Sequence, residues 1–225
     1  MLPTTLLGTA KIPNNGGELN LTQRGDEFSI SLKGIGGILM TSRVHGSEVA
    51  LAELGCAHIQ GKENTKVLVG GMGMGFTLAA ALKATSSSSE VVVAELVPEV
   101  IEWNKGPLGK CADRPLSNNR VVVYLGDVAE LFKAKHATYD SVLLDVDNGP
   151  ESFTHADNNK LYSSESLQAM QLTLKPGGVL AIWSAWHDPK FPLHLKKARF
   201  KVETKTVRAH KGKGSRHTIY LARKI

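Results

Sequence analysis

Residues 66–76, Lys66-Val67-Leu68-Val69-Gly70-Gly71-Met72-Gly73-Met74-Gly75-Phe76, decide the fold. A short buried-type strand runs into a glycine-rich loop. The alanine-rich stretch 76–84 then reads as a helix. Glycines let the backbone turn tightly and approach a ligand closely. Counted from Gly71 the spacing is GxGxG. A dinucleotide fingerprint needs a third glycine where Phe76 stands, so that reading fails by one residue. Alone, the loop is no more than a tight strand-to-helix turn; the residues around it give it meaning.

Downstream, strands and helices alternate. Residues 90–95 form the second strand, with Glu95 at its end, and Pro98 opens a helix through Asn104. The third strand spans 120–124 and leads to Gly126-Asp127, where Asp127 caps a helix over 128–135. The fourth strand, 139–145, ends on Asp145. After a polar loop, Ser163 or Ser164 caps a helix to Leu174. Pro176-Gly177-Gly178 reads as a turn before a fifth strand at 179–183. A helix near 192–198 and strands near 200–207 and 217–222 complete the chain. This pattern predicts an α/β fold with a mostly parallel seven-stranded sheet covered by helices on both faces. Ligands of such sheets bind beyond the C-terminal strand ends. That rule brings Gly71, Gly73, Gly75, Glu95, Asp127 and Asp145 to one rim.

Upstream, 18–22 and 27–32 alternate polar and apolar residues around the turn Arg24-Gly25-Asp26, and 38–40 offers a third short strand. A helix runs from Ser47 to a stop near Gly55. The expected division is a short β-rich segment plus helix over 1–60 and a nucleotide-binding domain over 61–225.

Composition sets the outer limits. The chain has 225 residues, 42% hydrophobic, enough for one well-cored domain. No run approaches the length of a membrane helix. The first residues lack the basic flank of a secretory leader. Cys56 and Cys111 form no metal-ligand spacing, and a reducing cytoplasm is the expected location. The net charge of +6 is uneven: residues 190–225 carry 12 Lys and Arg against the acid Glu203. Solvated faces of terminal strands account for such an end. A polyanion is the other reading, at most a non-specific one, because no nucleic-acid motif accompanies the charge.

With the glycine loop, Glu95, Asp127 and Leu174-Lys175-Pro176-Gly177-Gly178, residues 66–225 resemble the class I S-adenosylmethionine-dependent methyltransferase fold, which is Rossmann-like. A closer resemblance lies in Asp140-Ser141-Val142-Leu143-Leu144-Asp145-Val146-Asp147-Asn148-Gly149-Pro150, followed by Leu161-Tyr162-Ser163. This stretch is similar to the spermidine synthase family, which moves an aminopropyl group from decarboxylated S-adenosylmethionine to an amine. The resemblance implies that Asp145 is the catalytic acid–base group and that Glu95 and Asp127 hold the donor's nucleoside. Tyr162 approximates an aromatic beside the amine. It also implies a small amine partner and a homodimer. The family carries an aspartate inside the glycine loop where this chain has Gly73. Ordinary S-adenosylmethionine therefore stands beside the decarboxylated form as donor, and methyl transfer stays open as the alternative chemistry. A nucleotide- or nucleic-acid-binding protein without catalysis is the non-enzyme alternative.

The chemistry suits that resemblance. A sulfonium makes its neighbouring carbon electrophilic, and an attacking amine must first shed a proton. A carboxylate can orient the ammonium and take that proton. Asp145 is placed for this, and Asp147 is expected to assist; two nearby acids raise each other's pKa. Trp183 and Trp186 follow the fifth strand and can wall a cation. Residues 42–48, Ser42-Arg43-Val44-His45-Gly46-Ser47-Glu48, either close over the donor through Arg43 or His45 or form a surface loop and cap. No metal site is expected.

Overall fold

The computed structural model describes residues 2–13, 16–34, 37–133, 137–146, 161–210 and 213–225. Two sheets make up the architecture. The first is a four-stranded antiparallel meander of β1 (Thr5–Lys11), β2 (Glu18–Arg24), β3 (Glu27–Leu32) and β4 (Ile38–Thr41). Strands β2 to β4 follow the expected pattern, with Leu19, Leu21, Phe28, Ile30 and Leu32 buried on one face. Strand β1 was not anticipated. Ala10 is its only buried side chain, and a register shift beside Gly8 breaks its alternation. A Cβ on Gly8 would lie 2.7 Å from Trp103 Nε1, so glycine is what lets this strand press on the main domain.

The second sheet contains β5 (Lys66–Gly70), β6 (Glu90–Glu95), β7 (Val121–Leu125), β8 (Tyr139–Leu144), β9 (Leu174–Ser184), β10 (Phe200–His210) and β11 (Lys213–Lys224). Its order is β10-β11-β9-β8-β5-β6-β7, and only β11 runs against its neighbours. The seven-stranded, mostly parallel α/β sheet is therefore present. Its central strands are apolar along their length, as strands covered on both faces must be.

Helices α1 (Gly46–Cys56), α2 (Phe76–Ala84) and α3 (Pro98–Lys105) share one core with the N-terminal sheet and one face of the main sheet. The other face packs α4 (Val128–Lys133), α5 (Ser164–Thr173) and α6 (Phe191–Lys197). Ser163 caps α5, its Oγ accepting from Ser166 N at 3.2 Å.

One local expectation holds and one needs correction. Helix α1 ends at Cys56, as the stop expected near Gly55 requires, and Gly55 is its last residue but one. A side chain there would run into Leu143 and lie 3.0 Å from Ala181 Cβ, so glycine marks a close helix–sheet approach. Residues 174–178 are not a separate turn but the opening of β9, with Leu174 paired to Tyr139 and Val179 to Ser141 across a register shift. Lys175 Nζ reaches Asp140 Oδ2 at 2.6 Å and holds that irregular opening.

Order reverses at the β5–β8 pair: β6 and β7 lie to one side of it, β9 to the other. In an open α/β sheet this switch point opens the crevice in which ligands bind.

Candidate active site

The glycine loop occupies the switch point, and its three glycines are required by conformation. Gly71, Gly73 and Gly75 have φ of +91°, +48° and +85°, values that L side chains rarely adopt. Gly71 is also fixed by contact, because a Cβ would collide with the carbonyl oxygen of Asp145. Asp145 N in turn donates to Gly70 O at 2.9 Å. The loop and the exit of β8 are thus zipped together, which brings Asp145 beside the loop.

Glu95 ends β6 and is almost fully buried. Its carboxylate accepts from Met72 N at Oε2 and from Val97 N at Oε1, each at 2.9 Å. Glu95 therefore ties the glycine loop to the turn after β6. Asn104, buried in α3, closes the loop from behind by donating Nδ2 to Gly73 O at 2.8 Å.

Asp127 is exposed, and its Oδ1 accepts from Ala129 N at 2.9 Å as the cap of α4. The capping half of its expected role is thus observed.

Asp145 has different surroundings. Thr77, in the first turn of α2, donates Oγ1 to its Oδ2 at 2.5 Å. Desolvation by burial and, next, the charge of Glu48 push the Asp145 carboxyl up to about 7, while the Thr77 bond acts in the opposite direction. Glu48 sits in the first turn of α1, where Ser47 Oγ donates to its Oε2 at 2.6 Å.

Nitrogen-bearing rings precede α1 and lie on β9 and β11. His45 stacks on Phe76 with centroids 4.1 Å apart, and Trp183 lies 4.8 Å from His217. The Nδ1 atoms of both histidines and Nε1 of Trp183 are buried with no hydrogen-bond partner among the described residues. Burial also lowers the pKa of His217.

Tyr162 is buried in the second core, edge-on to Phe191 at 5.5 Å. Trp186 is exposed, and Arg43 pairs with Glu27 at 3.1 Å. Asp147 lies outside the described residues. Among those described, no group of His, Cys, Asp and Glu could hold a metal ion.

Thr77 and Asn104 were not singled out by sequence reasoning. Their partners are 68 and 31 residues away, and no local pattern links them. Met40 adds a constraint of its own: a Cβ on Gly73 would lie 3.3 Å from Met40 Sδ, and Met72 and Met74 are buried on either side. An aspartate at position 73 would point at a thioether.

Comparison with known proteins bears on this geometry. The spermine/spermidine synthase domain matches residues 49–205. Polyamine aminopropyltransferase 2 of Hyperthermus butylicus is 29% identical over 115 residues, which is 51% of this chain and 36% of that protein. The match thus spans little more than a third of the curated relative's length. A spermidine synthase crystallised with the transition-state analogue AdoDATO superposes with a TM-score of 0.74 at 18% identity, covering 98% of this chain and 72% of the other. Spermidine synthase from Thermotoga maritima gives 0.73 at 18% identity, covering 98% and 73%.

Proposed function

Since the chain belongs to the spermine/spermidine synthase family, we propose that it alkylates a small amine from a nucleoside sulfonium donor, by aminopropyl transfer from decarboxylated S-adenosylmethionine. The observation that carries this reading is the junction of the glycine loop with Asp145 at the switch point. There the Asp145 carboxyl is held by a hydroxyl and pairs with no Lys or Arg among the described residues.

In this reading the glycine loop takes the donor's tail end and Glu95 its ribose. Each Glu95 oxygen accepts one backbone N–H, which fixes the carboxylate at the rim. Asp127 lies on the adenine side. The acceptor arrives as an ammonium. Asp145 takes one N–H proton, leaving the nitrogen lone pair free to attack the carbon beside sulfur. The C–S bond breaks, its electrons stay on sulfur, and a neutral thioether leaves. Asp147, Tyr162 and Trp183 belong to the acceptor side of the proposal. The amine partner, a homodimer and a cytoplasmic location are supported by the family resemblance.

Methyl transfer from S-adenosylmethionine is the second reading. Met40 beside Gly73 favours it, because the loop offers no carboxylate to a donor ammonium. Calorimetry with methylthioadenosine, S-adenosylmethionine, its decarboxylated form and NAD tests the proposal. Binding of methylthioadenosine and of a nucleoside sulfonium, without NAD, is expected, and NAD binding with no response to methylthioadenosine would sink it.

A further inference from the structure

Helix α1 is fixed at both ends. Gly55 sits against Leu143 and Ala181, midway along β8 and β9, and a Cβ on Gly46 would lie 2.7 Å from the carbonyl oxygen of Ala209, near the end of β10. The first turn of α1 therefore overhangs the C-terminal rim. His45 anchors it by stacking on Phe76, and buried Ser47 holds the Glu48 carboxylate at 2.6 Å. The residue after Phe76, Thr77, holds Asp145. Two carboxylates on two elements are each steadied by a neighbouring hydroxyl. Among the described residues neither forms an ion pair with a Lys or Arg.

Like charges so arranged repel, and the fold gains nothing from the arrangement. The gain lies in proton transfer. An isolated aspartate is a poor match for an ammonium, because its affinity for a proton is far lower than an amine's. A neighbouring negative charge narrows that gap. We propose that Glu48 is a positioning residue for proton transfer: held by Ser47 over the rim, its charge makes Asp145 a better proton acceptor from an acceptor ammonium. The proposal rests on the reading of Asp145 as the base. In the step concerned, an N–H bond of the ammonium breaks, an O–H bond forms on Asp145, and the lone pair stays on nitrogen.

Among the described residues, the other titratable groups on this side of the sheet are His45 before α1, His217 on β11, Glu95 behind the glycine loop and Asp127 after β7. Glu48 acts on His217 as well, where burial favours the neutral ring. The direction for Asp145 agrees with the geometry, since the charge of Glu48 contributes to its raised pKa.

The test is a carbon-13 NMR titration of aspartate-labelled protein, with the Asp145 resonance assigned by its loss in Asp145→Asn. Wild type should titrate near 7. Glu48→Gln should lower the midpoint by about one pH unit or more. Glu48→Asp should keep most of the upward displacement, and Thr77→Val should move it further up. The acid limb of kcat/KM should move with the midpoint, while methylthioadenosine affinity stays as in wild type. An Asp145 midpoint that is the same in Glu48→Gln as in wild type overturns the proposal. The titration needs no substrate. A protein that neither binds methylthioadenosine nor transfers to any amine contradicts the transferase reading instead, and the midpoint still decides the role of Glu48.

Discussion

Two carboxylates end neighbouring stretches of the same rim, and the chain treats them in opposite ways. Glu95, at the exit of β6, has both oxygens engaged by backbone N–H groups. Asp145, at the exit of β8, accepts from the Thr77 hydroxyl and faces a second acid. Backbone donors cannot be withdrawn without rebuilding a turn, so Glu95 is a fixed acceptor that organises the glycine loop. A hydroxyl and a like charge leave Asp145 poised between its two protonation states. The first arrangement suits holding a ligand and the second suits trading a proton.

Breaking the second half of that contrast should have the larger effect. Asp145→Asn keeps the shape and removes the base. Turnover on a proven amine acceptor should fall ~10²–10⁴-fold, with methylthioadenosine affinity little changed. If Asp145 only caps the strand end, melting temperature falls instead and the folded fraction keeps its turnover.

Glu95→Ala attacks the other half. It removes the carboxylate that orders Met72 and Val97 and that is assigned to the ribose. Methylthioadenosine binding should weaken by ~1–3 kcal/mol, the cost of losing charged hydrogen bonds. Calorimetry reads this directly, and an unchanged affinity would take Glu95 out of the ligand site. Gly71→Ala strikes the seam between the two halves, since its methyl would enter the space of the Asp145 carbonyl at a φ of +91°. Overpacking of this kind costs ~1–3 kcal/mol, to be read from denaturant melts.

The pH dependence sharpens the comparison. Burial and Glu48 raise the Asp145 pKa in the folded state to about 7, against ~3.9 for an unperturbed aspartate. Between those values the folded chain holds a proton that the unfolded chain has lost. The contribution of Asp145 to stability should therefore decline as pH rises from about 4 to about 7 and level off above. Asp145→Asn should remove that decline from melts taken across the range. Turnover should run the other way, rising through pH 7 as Asp145 becomes a base.

Much of this was legible in the chain. The period changes at Lys66, the strand ends carry acids, and α2 and α3 begin where Phe76 and Pro98 put them. What escaped reading depends on distant partners. Strand β1 carries a single buried residue and a broken register, so no alternation marks it. Pro176-Gly177-Gly178 has turn chemistry, yet pairing with β8 draws it into β9. Gly55 is legible as a helix end, but its close approach to the sheet is not, because the residues that exclude a side chain there, Leu143 and Ala181, come from two later strands. At the site, Glu48 was visible only as one polar residue in a loop-and-cap stretch. Its relation to Asp145 appears once α1 is laid across β8 and β9.

The central claim is that this rim alkylates an amine with Asp145 as its base. Mass spectrometry of one reaction tests it most directly: protein, decarboxylated S-adenosylmethionine and a panel of di- and polyamines, followed as methylthioadenosine released and amine alkylated. The account predicts equal amounts of the two products from wild type, and a drop of at least about 10²-fold in both from Asp145→Asn. Equal product from the two proteins, or no methylthioadenosine with any amine, would contradict it.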